Sequence, residues 1–76
     1  MIVSNNISPD KNLYYIGGEI LNILINENGK MDLIVLYSKL NTVIKVNFVL
    51  FTYALDWLFI SELIENDKKG AIIKCL

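Results

Sequence analysis

The sequence predicts a mainly α domain of three helices closed by a small β-hairpin. Three observations carry this. Apolar residues recur at three- and four-residue steps in the first three quarters of the chain. A helix-capping side chain stands before each of those segments, and two short apolar runs near the end flank a polar turn containing glycine. At 76 residues there is room for one domain, near the lower size at which a single core folds unaided.

Residues 1–8 read as an N-terminal extension and residues 9–27 as the first helix. Ser8 suits a cap, Pro9 the first helical position, and Asp10 places negative charge in the first turn. Leu13, Ile16, Ile20, Ile23 and Leu24 fall on one face. Gly17 and Gly18 each cost a helix about 1 kcal/mol relative to alanine, a cost that close approach of a second helix would explain. Asn28 and Gly29 end the segment.

The second helix is expected at 32–41, capped by Asp32, with Leu33, Leu36, Tyr37 and Leu40 on one face. The β-branched run "TVIKV" then reads as an extended connector. Asn47 caps a third helix over 47–62. Residues 63–76 form the hairpin, turning through Asn66-Asp67-Lys68-Lys69-Gly70. Three helices followed by a hairpin is the order of a winged helix, although the gap between helices two and three exceeds the roughly three- to four-residue turn of a strict helix-turn-helix.

Composition narrows the function classes. The chain is 54% hydrophobic with a net charge of −1, so it has no global attraction for nucleic acid or anionic lipid. All seven cations are lysine, and there is no histidine. One cysteine, Cys75, makes no internal disulfide and, without histidine, no ordinary zinc site; a small apolar residue of the last strand is its simplest reading. The first residues lack a charged region followed by an apolar core, so no signal peptide is expected and the expected compartment is the cytoplasm. There is no general base of the usual kind, no phosphate loop and no paired carboxylates, so neither an enzyme nor a cofactor is expected.

The stretch "NFVLFTYALDWLFISELI", Asn47 to Ile64, decides most of the rest. A membrane span needs about 20 apolar residues, and this run is shorter and interrupted by Asn47, Thr52 and Asp56. A DNA-reading helix needs lysine, arginine or amide side chains on its outer face, and Phe48 to Glu62 has none. Lys68, Lys69 and Lys74 of the hairpin are the only candidates for a phosphate-backbone contact.

Packing on both sides remains. Phe48, Phe51, Leu55, Leu58 and Phe59 are expected to face the core, while Val49, Leu50, Tyr53, Trp57 and Ile60 form a second apolar stripe bordered by Asp56. Either the hairpin and the segment Ile2–Ile7 cover that stripe, or a protein partner or a second copy does. Tyrosine and tryptophan are the side chains that anchor interfaces, so the stripe is assigned to a partner. Replacing Tyr53 and Trp57 by alanine is then expected to release the partner and leave the fold intact.

The segments "LYYIGGEILNIL", "GKMDLIVLYSKL", "NFVLFTYALDWLFISELIE" and "KKGAIIKC" together resemble the small middle component of bacterial ABC three-component systems, of the type called middle component 6. The resemblance covers Asn12 to Cys75 and contains no catalytic signature. It implies a winged-helix-like, non-catalytic subunit that bridges an SMC-like ABC ATPase and an effector in a system directed at invading DNA. The rival from a different class is a winged-helix DNA-binding regulator, which the missing basic residues put in doubt.

Overall fold

The computed structural model describes residues 12–75. It contains three helices and a small antiparallel sheet, as the sequence predicts. The extension 1–8, the expected first helical turn at 9–11 and residue 76 lie outside the described residues.

Helix α1 spans Leu13–Asn26. It is capped by Asn12, whose side chain accepts from the amides of Tyr14 and Tyr15 at 2.8 and 3.3 Å. Helix α1 thus starts where the apolar periodicity does, at Leu13, and not at the Ser8-Pro9 cap, because Asn12 is extended and its side chain satisfies the first free amides. At the other end Asn28 (φ 65°) adopts the left-handed conformation, and the Gly29 and Asn28 amides return to the carbonyls of Leu24 and Ile25. This paired closure stops the helix where the Asn-Gly pair predicts.

The chain then forms β1, Lys30–Met31, a two-residue strand with no signal in the sequence. Helix α2, Leu33–Val43, follows its Asp32 cap. It takes in Thr42 and Val43, which the sequence places in the extended connector; the extended backbone begins at Ile44 (φ −137°, ψ 153°). Thr42 satisfies its hydroxyl on the Lys39 carbonyl at 2.7 Å, which lets a β-branched residue complete the last turn.

Helix α3 spans Phe48–Ile60 behind its Asn47 cap. The strands β2, Ile64–Asn66, and β3, Ile72–Lys74, make the hairpin. The sheet order is β1-β3-β2, with Met31 opposite Ile72 and Ile64 opposite Lys74.

One core joins these elements. Ile16, Ile20, Ile23 and Leu24 of α1 meet Leu36 and Leu40 of α2, while Phe51, Ala54, Leu55 and Leu58 of α3 close it with Ile64 and Ile72 beneath. No polar or charged side chain is buried among the described residues. The α3 core face is therefore narrower than the sequence suggests. Phe48 is 42% exposed and Phe59 is only partly buried, while the small Ala54 is buried.

The corner between α2 and α3, a turn of 111°, is held from two sides. The Tyr37 hydroxyl donates to the Val46 carbonyl at 3.0 Å, and the Val46 amide donates to the Asn41 side chain at 3.1 Å. The Tyr37 ring stacks edge-on to Phe48 and tilted on Phe51, with centroids 5.2 and 5.0 Å away. A connector rich in β-branched residues is thereby kept extended, with Val46 itself buried.

The hairpin turn is organised by Asp67. Its carboxylate accepts from the amides of Lys69 and Ala71, both at 2.8 Å, and pairs with Lys30 at 3.0 Å. The Lys30 ammonium, followed by these amides, holds the Asp67 carboxyl below the usual carboxylate range. A lowered folded value contributes stability above the unfolded value near about pH 3.9 and loses it as pH falls through the folded one. Protection of the Lys69 and Ala71 amides, taken relative to the intrinsic exchange rate at each pH, is therefore expected to fall only below about pH 4; loss of protection already near neutral pH would contradict the assignment.

The two glycines of α1 differ. A Cβ on Gly17 would stand 3.3 Å from the Trp57 ring and 3.5 Å from Leu58, whereas one on Gly18 would meet nothing within 4 Å. Gly17 thus permits the close approach of α1 to α3, and Gly18 makes no such contact. Gly18→Ala is expected to stabilise the fold by about 1 kcal/mol through helix propensity alone. Gly17→Ala should recover less than that, and Gly17→Val should destabilise by pushing the helices apart. Urea denaturation of the three variants checks the order.

Glu62 follows α3 with φ 63°, and its amide and that of Leu63 close the helix on the carbonyls of Phe59 and Leu58. A side chain in this conformation carries strain that glycine avoids. Glu62→Gly should raise the denaturation midpoint, by up to about 1 kcal/mol after glycine's own entropy is deducted. A lowered midpoint would show that the Glu62 side chain contributes more than its conformation costs.

Candidate protein-docking face

The outer side of α3 emerges from the way its core side is used up. Once Phe51, Ala54, Leu55 and Leu58 face inward, Val49, Tyr53, Asp56 and Ile60 must face outward. Val49 is 58% exposed, Tyr53 56% and Ile60 81%. These three large apolar side chains lie on one helix with one carboxylate, Asp56, and no cation.

Leu50 and Trp57, the other members of the expected stripe, are half-buried and pack against the core. Trp57 lies over Gly17 and meets Tyr14 of α1 edge to face, with ring centroids 5.0 Å apart and planes at 86°. The stripe is therefore not uniform. Its two ends and Tyr53 are free, while Leu50 and Trp57 present one edge outward and hold the fold with the other. The double replacement of Tyr53 and Trp57 expected to spare the fold would remove this α1–α3 contact.

Tyr14 joins the face from α1, 71% exposed and against Trp57. The sequence does not mark it, because it lies off the apolar stripe of its own helix and its contact comes from a residue far along the chain. Ile34, Val35 and Val43 of α2 are exposed as well. Their spacing in a short apolar helix does not separate outward from inward positions.

The three lysines considered for a phosphate contact are not brought together. Lys68 and Lys69 are exposed in the hairpin turn, whereas Lys74 lies at the far end of β3, opposite Ile64. Asp67 adjoins the first two, and Glu65 stands on the neighbouring strand. Such an arrangement offers no continuous basic strip to a nucleic-acid backbone.

An open cleft of about 590 Å³ lies between the end of α3, strand β2 and Cys75. Phe59 and Ile64 give it an apolar lining, and Glu62, Glu65 and Asn66 give it polar groups. Burial pushes the Cys75 thiol up, and the nearby Glu65 and Glu62 carboxylates raise it further, so it remains a protonated thiol at neutral pH. Among the described residues no group of three histidine, cysteine, aspartate or glutamate side chains is placed to hold a metal ion. Among the described residues no single helix is long and apolar enough to cross a membrane; α2 and α3 pass by length and composition only as a pair, bent by 111°.

No curated protein and no solved structure matches this chain. A family model does, over residues 2–75 of the 76. A small helical domain with an uncovered apolar helix face and no catalytic grouping among its described residues fits a part of a larger assembly, and the chain belongs to the ABC-three component (ABC-3C) system Middle Component 6 family.

Proposed function

We propose that this chain is a non-enzymatic adaptor, the middle subunit that bridges an SMC-like ABC ATPase and an effector in a bacterial defence system. The outer face of α3 makes the contact, and the frame is winged-helix-like. Membership of a middle-component family supports protein partners. The element order α1-β1-α2-α3-β2-β3 and the sheet order β1-β3-β2 support the winged-helix reading. The subunit acts in the cytoplasm, beside its ATPase.

The observation that carries the reading is the helix that a winged helix would use to read DNA. It presents Val49, Tyr53 and Ile60 to solvent, where a base-reading helix needs donors and cations. Apolar surface of this kind, with a tryptophan edge at its centre, gains free energy when a second protein covers it. Tyr53 and Ile60 anchor the contact, Val49 extends it toward the start of α3, and Leu50 and Trp57 form its floor.

Tyr53 and Ile60 can be removed with little harm to the core, unlike Trp57. Tyr53→Ala combined with Ile60→Ala should leave the denaturation midpoint within about 0.5 kcal/mol of the parent. It should also weaken co-purification with the ATPase or effector by about 2 kcal/mol or more, roughly 30-fold in affinity. Full retention of both proteins by the folded double variant, in moderately high salt, would refute the α3 contact.

A further inference from the structure

Gly18 stands in the middle of α1 with nothing inside the domain to account for it. Glycine costs a helix interior about 1 kcal/mol relative to alanine, and a Cβ at this position would meet nothing within 4 Å. Its neighbours on the same side are apolar. Tyr14, Gly18, Leu21 and Ile25 follow one another at steps of four, three and four, which sets them within a sector of roughly 60°. That sector lies away from the buried Ile16, Ile20 and Ile23. Tyr14 is 71% exposed and Ile25 55%, while Leu21 rests half-buried against the core. Glu19, the one charged residue of α1, sits roughly 130° around the helix from the middle of the stripe.

An uncovered glycine inside an apolar stripe is a notch where another backbone can come close. The spacing selects whose backbone that is. Steps of four, three and four read the same in either direction. A second α1 laid antiparallel, by a two-fold axis midway between Gly18 and Leu21, therefore meets the first in matching register. Leu21 of each copy falls on Gly18 of the other, and Tyr14 of each falls on Ile25 of the other. No charge opposes a charge along this seam. A foreign helix would need a large side chain at the height of Gly18 and a small one at the height of Leu21; the chain's own stripe, reversed, has both. The area sets the strength. A fully exposed aromatic offers about 150–250 Å², so the stripe and its flanks contribute on the order of 400–500 Å² from each copy. That is below the about 800 Å² per partner of a standard interface and in the range of weak, reversible contacts.

We propose that this chain pairs with a second copy of itself through Tyr14, Gly18, Leu21 and Ile25 of α1, as an antiparallel and reversible dimer. The pairing uses none of the outward side chains of α3. Gly18 is retained at a cost to the helix because it admits Leu21 of the second copy.

Sedimentation equilibrium of the full chain should show the mass climbing from monomer toward dimer as concentration rises through the micromolar range. Gly18→Gln should move that transition roughly tenfold higher in concentration, because its side chain fills the notch and brings an amide into the seam. The same variant, when dilute, should denature at a higher urea concentration than the parent, since the position is open and glutamine is the better helix former. Lost pairing is thereby separated from lost structure.

Cross-linking reads the register. With Cys75→Ser in the background, an introduced cysteine is the sole thiol of its chain. Antiparallel pairing sets position 14 opposite position 25 of the other copy. It leaves the two copies of position 14 about 16 Å apart along the seam, beyond the roughly 7 Å that a disulfide spans between Cα atoms. Tyr14→Cys and Ile25→Cys chains should therefore cross-link on oxidation when mixed, and neither should do so alone. A parent chain that stays monomeric at high micromolar concentration, or a Gly18→Gln variant that associates as the parent does, would overturn the proposal. So would Tyr14→Cys chains that link to one another in preference to the mixture, since that pattern belongs to a parallel pair.

Discussion

Helix α3 is apolar almost all the way round, and a domain of this size can enclose only part of it. That constraint governs the rest of the molecule. The three buried large side chains Phe51, Leu55 and Leu58, with Ala54, set which side faces α1 and the sheet. Whatever remains must meet something other than water or carry the cost of exposure, about 25 cal/mol for each Å² of apolar surface. The outward side chains are thus a consequence of composition, and their positions a consequence of packing.

Two devices turn that constraint into a defined geometry. Gly17 removes a Cβ where the Trp57 ring lies, so α1 and α3 approach closely and the tryptophan is held with one edge outward. At the α2–α3 corner, Tyr37 and Asn41 satisfy both backbone groups of Val46, and the 111° turn follows. Without the first device a side chain would press on the Trp57 ring and hold the two helices apart. Without the second, α3 would lose its bearing on α2, since an extended connector of β-branched residues has no hydrogen bonds of its own to direct it.

The hairpin completes the core from below and distributes the charge. Asp67 gathers Lys30 and two backbone amides, so the turn bearing Lys68 and Lys69 is rigid without being strongly basic. Glu62 and Glu65 collect at the opposite side of the hairpin, beside the end of α3. An apolar helix with acid at its end and no cation along it is ill matched to a phosphate backbone. This accords with membership of a middle-component family.

Local chemistry made much of the architecture legible from the chain alone. The caps Asp32 and Asn47, the closure at Asn28 and Gly29, and the hairpin around Asp67 depend on neighbours within a few residues, and each is where its residue types place it. The apolar outer stripe was legible too, because helical spacing alone separates Val49, Tyr53 and Ile60 from Phe51 and Leu58. The family could be recognised from the resemblance of four segments that together span nearly the whole chain.

Tertiary structure decided the rest, since these contacts join residues far apart in the chain. Strand β1 exists only because β3 returns beside Lys30 and Met31, and no two-residue run carries such a signal. The inward lean of Leu50 and Trp57, the arrival of Tyr14 beside Trp57, and the separation of Lys74 from Lys68 and Lys69 all follow from where whole helices and strands come to rest. Spacing along one helix fixes which side chains share a face; only the neighbouring elements determine which edge of that face stays open.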